Sequence, residues 1–163
     1  MIRKLHHAAC RCRDSEETRQ FYEDFLGLPL VATLEIGESK TGRPTRTLHT
    51  FYRLADGSHL AFFEATELTF GFKKQHDYDL HIALEVGFAD LQPMLASGRE
   101  RGIEVRGPVD HGMIDSIYLR DPNGYVIELC AKRPDHDARM DPGRNAARAK
   151  LHHWTAAKSR APA

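Results

Sequence analysis

The sequence predicts an α+β fold in which a βαβββ module occurs twice and a helical arm follows. Hydrophobic residues alternate, then take helical spacing, then alternate again within residues 1–66, and the same order returns over residues 80–132. Each copy opens on a strand with a histidine, continues with a helix, and later has a turn ending in glycine before a strand that carries a glutamate. This repeated order of elements indicates a duplicated module.

The first module is expected to span residues 1–66. Residues 5–12 alternate as a strand does, and Asp14 followed by Glu17 has the pattern of a capping box at the start of a helix. Three further strands are predicted at residues 28–36, 45–54 and 58–65. Residues 67–79, which mix aromatic and charged side chains, are expected to be a linker.

The second module is expected over residues 80–132. A strand at 80–86 precedes a helix at 91–101, for which Asp90 is the predicted N-cap. The rest of the module has a strand that begins at Ile103-Glu104-Val105, a β-branched and aromatic strand at 117–119, the turn Asp121-Pro122-Asn123-Gly124, and a last alternating strand at 125–130. Proline fixes φ in this turn and glycine accepts a positive φ, so a tight connection between two strands is predicted.

The remaining residues, 133–163, are expected to form a tail. A polar stretch with proline and glycine leads into an alanine-rich stretch in which Ala147, Leu151 and Trp154 share one helical stripe. We expect an arm that docks its tryptophan on its own subunit or on a neighbour, and a frayed tail is the alternative. A homodimer is also expected.

Bulk composition excludes several classes of protein. The 163 residues include 23 Lys and Arg and 23 Asp and Glu, so the formal net charge of zero does not favour nucleic acid or an anionic membrane as a partner. No apolar run approaches the roughly 20 residues of a membrane helix, and the charged start does not resemble a signal peptide. Three cysteines are too few for a disulfide framework, so a cytoplasmic location is expected.

The repeat pairs His7 with His81 and Glu64 with Glu128. Each residue by itself has an ordinary explanation as a surface histidine or a solvated glutamate on a strand. Their recurrence at matching places predicts a cupped mixed β-sheet whose two halves surround a metal site. Imidazole and carboxylate ligands together suit iron(II), manganese, nickel, cobalt or zinc rather than calcium or magnesium.

Several motifs resemble the vicinal oxygen chelate superfamily, which includes glyoxalase I, epimerases, antibiotic-resistance proteins and extradiol dioxygenases. They are LHHAACRCRD, FYEDFLGLPL, LHIALEV and DPNGYVIEL, in that order, and the resemblance extends from residue 2 to about residue 132. The resemblance implies His7, His81 and Glu128 as metal ligands, with Glu64 matching the extra ligand of glyoxalases. Extradiol enzymes use two histidines and one carboxylate, which leaves positions for catechol and oxygen.

The stretch before Glu128 is similar to the extradiol signature. In that family the residues matching His111 and Tyr118 line the pocket and contact the bound catecholate and oxygen, so both are predicted catalytic residues here. The alternative is that His111 ends a loop and Tyr118 is a packed aromatic. The family's second catalytic histidine should lie near His59, but the best register puts Ser58 there. His59, one residue further on, is the predicted catalytic histidine. A shift of one residue along a strand turns a side chain to the opposite face, so His59 is expected to point away, and His49 is the substitute in that case.

Three functions remain open from the sequence. The first is an iron(II)-dependent ring-cleaving dioxygenase acting on an aromatic diol. The second is a glyoxalase- or epimerase-like lyase or isomerase, in which Glu64 is a fourth ligand and a 2-oxoaldehyde adduct is the substrate. The third is a metal-free drug-binding protein of the bleomycin-resistance type, which does not need the His and Glu set.

Overall fold

A computed structural model describes residues 1–74 and 76–158 of the chain. It divides into two compact units by contacts within the chain. The first unit contains Met1–Ile82 and Arg120–Ile127, and the second contains Ala83–Leu119 and the residues from Glu128 onward. Each unit is built on a four-stranded sheet, so the predicted α+β class with two βαβββ modules is confirmed.

The first sheet has the strand order β1-β4-β3-β2. Strands β1 and β4 are parallel, and the other neighbours are antiparallel. The parallel pair needs a crossover connection, which the first helix provides. The strands are β1 at His7–Arg11, β2 at Leu30–Glu38, β3 at Pro44–Arg53 and β4 at His59–Ala65.

The register of the first sheet determines which side chains share a face. His7 lies opposite His59 and Ala9 lies opposite Ala61 in the parallel pair. His49 lies opposite Phe63 in the antiparallel pair. Because side chains alternate along a strand, these residues lie on one face, and their sequence neighbours lie on the other.

The helix packs on the second of these faces. Helix α1, Ser15–Arg19, continues as a π-helical turn, Gln20–Phe25. The ring of Tyr22 is fully buried there, with its centroid 4.7 Å from that of Phe62. Asp14 caps α1 as predicted, since its side chain accepts a hydrogen bond from Glu17 N at 2.8 Å. The side chain of Glu17 instead pairs with Arg13, so only half of the predicted capping box is found.

The turn at Asp121-Pro122-Asn123-Gly124 belongs to the first unit. Tyr22 donates its hydroxyl proton to Asp121 Oδ2 at 3.0 Å, and Asn123 Oδ1 accepts from Arg13 N at 2.8 Å. The predicted turn is confirmed, since Gly124 N donates to the Asp121 carbonyl and Gly124 has a φ of 101°. The sequence did not indicate that the turn bonds to residues around α1.

The second sheet has the strand order β5-β8-β7-β6, which repeats the order of the first. Helix α2, Leu91–Glu100, follows β5 and begins after a 3₁₀ turn, Phe88–Asp90. The prediction that Asp90 caps this helix is wrong, because its carboxylate accepts from Gly87 N at 3.1 Å and makes no cap bond. The strands are β5 at Ile82–Glu85, β6 at Val105–Asp110, β7 at Ile114–Arg120 and β8 at Val126–Lys132.

Three helices make up the described part of the tail and confirm a helical arm. They are α3 at His136–Met140, α4 at Pro142–Asn145 and α5 at Ala147–Lys158. Trp154 keeps 66% of its surface exposed and Leu151 keeps 64%, so the arm does not bury its tryptophan on its own chain. Docking on a neighbouring subunit stays a prediction. None of the described helices has the length and hydropathy needed to cross a membrane.

Candidate functional site

The face of the first sheet opposite α1 carries a group of rings that we call the imidazole face: His7, His49, His59, Phe51 and Phe63. The centroid of the His7 ring is 5.6 Å from that of Phe51 and 6.3 Å from that of His49. Alanines lie between the rings, at Ala9 on β1 and Ala61 on β4.

His59 lies on the imidazole face, contrary to the expectation that it points away. Its Cα partner in the parallel pair is His7, so the two side chains project from the same side of the sheet. The His59 ring is 6.1 Å from Phe51, and its Nδ1 is 3.2 Å from the His6 carbonyl oxygen. A catalytic role for His59 stays a prediction.

His49 is held more firmly than the other histidines of this face. It is 7% exposed, and its ring is stacked on Phe63 with centroids 3.6 Å apart and planes 7° from parallel. Its Nδ1 lies 3.0 Å from the Phe62 carbonyl oxygen. Because a carbonyl only accepts, Nδ1 carries a proton, and in the neutral ring Nε2 therefore carries a lone pair.

Glu64 lies on the opposite face, with Phe62 and Leu60. Its Oε2 accepts a hydrogen bond from Ser15 N at 2.8 Å, so this carboxylate binds a backbone amide at the start of α1. Glu64 also lines a cavity of about 350 Å³ together with Glu35, Arg46 and Leu48. Among the predicted ligands of the first unit, Glu64 and His7 thus lie on different faces.

Arg11 extends the imidazole face along β1, two residues beyond Ala9. It is half-buried, its Nη2 donates to the Leu68 carbonyl at 2.8 Å, and its guanidinium lies over the Phe70 ring at 5.8 Å. Its Nε is buried without a hydrogen bond, and among the described residues Arg11 makes no ion pair. Arg11 alternates with His7 along β1, so strand periodicity alone contained the signal for this residue, which sequence reasoning missed.

His81 directly precedes β5 and belongs to the first unit. Its Nδ1 lies 2.9 Å from the Asp77 carbonyl oxygen and so donates to it. The other nitrogen, Nε2, then carries the lone pair in the neutral ring. This arrangement is typical of histidines that bind metals.

The second unit holds a group that we call the Glu128 cluster: His111, Ser116, Tyr118 and Glu128. Glu128 is 5% exposed, and its Oε1 accepts from Ser116 Oγ at 2.5 Å and from the Tyr118 hydroxyl at 3.4 Å. The Tyr118 hydroxyl also lies 2.7 Å from His111 Nε2. The structure thus brings together three residues predicted from the sequence and adds Ser116, which the sequence did not single out.

The phenol of Tyr118 stays protonated at neutral pH. Burial raises its pKa above the ordinary 10, and the negative charge of Glu128 raises it further. The phenol has one proton, which it gives either to Glu128 or to His111. When the phenol donates to Glu128, His111 Nε2 must be protonated and donate to the phenol oxygen. The cluster therefore allows two hydrogen-bonding arrangements.

The chemistry of these donors fits a borderline divalent metal. Imidazoles with a lone pair on Nε2 and a buried carboxylate oriented by hydroxyls match what iron, zinc, nickel or manganese sites use. Within the described residues, three or more His, Cys, Asp or Glu side chains do not gather into a group that can hold a metal ion. The predicted ligands His7, Glu64 and His81 belong to the first unit and Glu128 to the second, and that ligand set stays a prediction.

Comparisons with known proteins bear on the family. A family model described as the glyoxalase/bleomycin resistance protein/dioxygenase superfamily matches residues 4–129. A lactoylglutathione lyase from Neisseria meningitidis is 30% identical over 142 residues, which cover 83% of this chain and 95% of that protein. A biphenyl-2,3-diol 1,2-dioxygenase from Rhodococcus globerulus is 55% identical, but over 31 residues that cover 19% of this chain and 16% of that protein.

Solved structures support the fold. The fosfomycin resistance protein FosX from Listeria monocytogenes, crystallised with Mn(II) and sulfate, has a TM-score of 0.63 to this chain at 18% identity. The similarity covers 85% of this chain and 99% of that one. A glyoxalase I from Leishmania major has a TM-score of 0.61 at 18% identity and covers 95% of this chain and 99% of its own. At such identities the likeness concerns the fold alone.

Proposed function

Because the chain belongs to the glyoxalase/bleomycin resistance protein/dioxygenase superfamily, we propose that it is a metal-dependent lyase or isomerase of the glyoxalase type. Its substrate would carry two neighbouring oxygens and an anionic group, as in the adduct of a 2-oxoaldehyde with an acidic thiol. Lactoylglutathione lyases that match over four fifths of the chain favour this function over the ring cleavage placed first from the sequence.

Arg11 is the observation that carries the proposal. Arg11 lies on the same face as His7, its Nε is buried without a hydrogen bond, and it makes no ion pair in the described chain, so an anionic ligand would complete its bonding. A carboxylate of the substrate would supply that partner through paired, charge-assisted hydrogen bonds. The body of the substrate would lie over Ala9, an exposed residue between His7 and Arg11 on β1.

The proposed reaction gives the site residues separate roles. His7, His81 and Glu128 would hold a divalent metal, which when bound stabilises negative charge on substrate oxygens as a Lewis acid. Arg11 would orient the substrate by its carboxylate. Ser116 and Tyr118 hold the Glu128 carboxylate through its Oε1, which fixes where the carboxylate points. Nickel, zinc, cobalt or manganese would serve this chemistry.

The test is turnover of the hemithioacetal of a 2-oxoaldehyde by protein loaded with each metal. Arg11→Met should raise KM by about 10- to 100-fold with little change in kcat, because a charged hydrogen bond contributes about 1.5–3 kcal/mol to binding. Arg13→Met is the matched control, since Arg13 lies two residues on and pairs with Glu17 at the surface. Absence of turnover with all metals would refute the proposed function.

Ring cleavage is kept as a second candidate because of one observation. His111, Tyr118 and Glu128 lie in one hydrogen-bonded cluster, as the resemblance to extradiol enzymes predicted. For this function the metal would be iron(II) and the substrate an aromatic diol. Oxygen uptake and a yellow ring-fission product from a panel of catechols would favour this candidate over the lyase.

We also propose a homodimer in the cytoplasm, as expected from the sequence. The exposed Trp154 and Leu151 of α5 support the dimer, because apolar side chains of this size are commonly covered by a partner. Light scattering of the full chain and of Trp154→Ser tests it. A monomer in both would contradict the dimer without affecting the site.

A further inference from the structure

The first unit does not place a carboxylate where the repeat needs one. Glu128 follows the turn glycine of its module, Gly124, by four residues, whereas Glu64 follows Gly57 by seven. Four and seven differ in parity, so the two glutamates project from different faces of corresponding strands. The residue four positions after Gly57 is Ala61, a buried alanine on the imidazole face.

A different donor occupies this face. His49 lies on β3, beside Phe63 of β4, and its ring centroid is 6.3 Å from that of His7. Phe51 lies beside both rings, with its centroid 5.6 Å from His7 and 4.2 Å from His49. The two imidazoles therefore converge on the same part of the sheet, beside the small side chain of Ala61.

His49 is oriented by its neighbours as a metal-binding histidine is. Its Nδ1 proton is donated to the Phe62 carbonyl, and stacking on Phe63 fixes the plane of the ring. Metal-bound histidines almost always donate their second nitrogen in this way, which sets the tautomer and the direction of the lone pair. In the described part of the chain, the bond to Phe62 is the hydrogen bond His49 makes, so Nε2 remains for another partner.

We infer that the first module binds the divalent metal through His49 together with His7, and that Glu64 serves α1 instead. This inference rests on the proposed metal-dependent function. It changes the predicted ligand set of the module from one imidazole and one carboxylate to two imidazoles. A site with one carboxylate fewer carries one negative charge fewer and favours metals that accept nitrogen donors, such as zinc, nickel or iron.

The test is a zinc titration of the full chain without substrate, with the dissociation constant obtained by competition with a chromophoric chelator. His49→Asn places an amide N–H where Nδ1 was and keeps the hydrogen bond to Phe62, but it has no atom that can bind a metal at the position of Nε2. His49→Gln has an amide oxygen near the position of Nε2 and loses the Nδ1 donor. Glu64→Gln is the matched control for the carboxylate.

For a ligand, the zinc affinity should fall by about 100-fold in His49→Asn and by less in His49→Gln, with Glu64→Gln close to wild type. If His49 has only a structural role, zinc affinity should follow the stability of the fold instead. His49→Asn keeps the buried hydrogen bond and should be the more stable variant, so it should then lose less zinc affinity than His49→Gln. In protein labelled with ¹⁵N-histidine, zinc should shift the Nε2 resonances of His7 and His49 together. The His49 resonance is assigned as the one that is missing from the spectrum of His49→Asn.

Each remaining outcome decides the matter. Unchanged affinity in His49→Asn, with an unshifted His49 resonance, overturns the inference while the proposed function stands. A loss confined to Glu64→Gln overturns it in favour of the ligand first predicted. Failure of the wild type to bind zinc, nickel, cobalt or manganese overturns both the inference and the proposed lyase. Turnover assays are not needed for any of these readings.

Discussion

In the first unit, the imidazole face presents ring nitrogens, of which those of His49 and His59 lie near backbone carbonyls, and Arg11 extends this face along β1. In the second unit, the Glu128 cluster presents a buried carboxylate held by two hydroxyls. The two modules have the same strand order, yet one presents imidazoles and the other a carboxylate. Duplication thus preserved the sheet and not the chemistry, because single substitutions at inward positions change a donor without disturbing the register.

The largest effect is expected when the second region loses its anion. Glu128→Ala should lower metal content to near zero and turnover by at least about 100-fold, since it removes the carboxylate of the proposed ligand set, His7, His81 and Glu128. Metal analysis of the isolated protein and circular dichroism check the two parts. A variant with full metal occupancy would remove Glu128 from the ligand set and leave the two regions alike.

A smaller loss is expected from Tyr118→Phe, which keeps the ring and removes the hydroxyl. The contacts to His111 and Glu128 are lost, while the stacking of Arg106 over the ring, 4.5 Å from the centroid, is kept. A proton donor that acts in the transition state is worth about 10²-fold or more in kcat. A drop in kcat with unchanged metal content would support a role in proton transfer, and equal loss of metal would show a positioning role through Glu128.

Glu64 sharpens the comparison from the first unit. Glu64→Ala removes the acceptor for Ser15 N and should lower the free energy of unfolding by about 1–2 kcal/mol, as loss of a helix cap does. Urea denaturation measures it, and metal content should stay at the wild-type level. Lower metal content with unchanged stability would place Glu64 at the metal and remove the difference between the two glutamates.

Sequence reasoning found the elements more reliably than the faces on which their side chains lie. Alternation and turn residues predicted all eight strands, because these signals are local. His59 was expected to point away, but the parallel register with β1 pairs it with His7. The sequence of one strand does not determine its register with a strand far away in the chain. Glu64 was matched to Glu128 because each follows a turn that ends in glycine. Counting residues from the two glycines would have shown that the glutamates lie on different faces of their strands.

Other misses have a similar cause. Asp90 looks like an N-cap in sequence, but a 3₁₀ turn precedes α2 and uses its carboxylate locally. The turn at Asp121 was predicted, whereas its bonds to Tyr22 and Arg13 join residues about a hundred positions apart. Neither local propensity nor periodicity contains such information, so these contacts had to come from the structure.

The smallest effect concerns a second carboxylate–phenol pair, Tyr22 with Asp121 in the first unit, which resembles Tyr118 with Glu128 but contacts no predicted ligand. Burial raises the pKa of Asp121 above the ordinary 3.8, although hydrogen bonds from Asn123 and Tyr125 oppose the shift. A carboxyl whose pKa is raised by folding binds its proton more tightly in the native state. Its contribution to stability is therefore full below the unfolded pKa and is lost as the pH rises through the folded pKa.

Asp121→Asn removes this titration and keeps the size of the side chain. The free energy of unfolding of the wild type, measured relative to the variant between pH 3 and pH 6, should decline as the pH rises. Tyr22→Phe should make the decline slightly steeper, because the hydrogen bond from the phenol lowers the pKa of Asp121 and its loss leaves the effect of burial less opposed. Metal affinity should not change in either variant. If the wild type instead gained stability with rising pH relative to Asp121→Asn, the hydrogen bonds would outweigh burial and Asp121 would act as a stabilised anion.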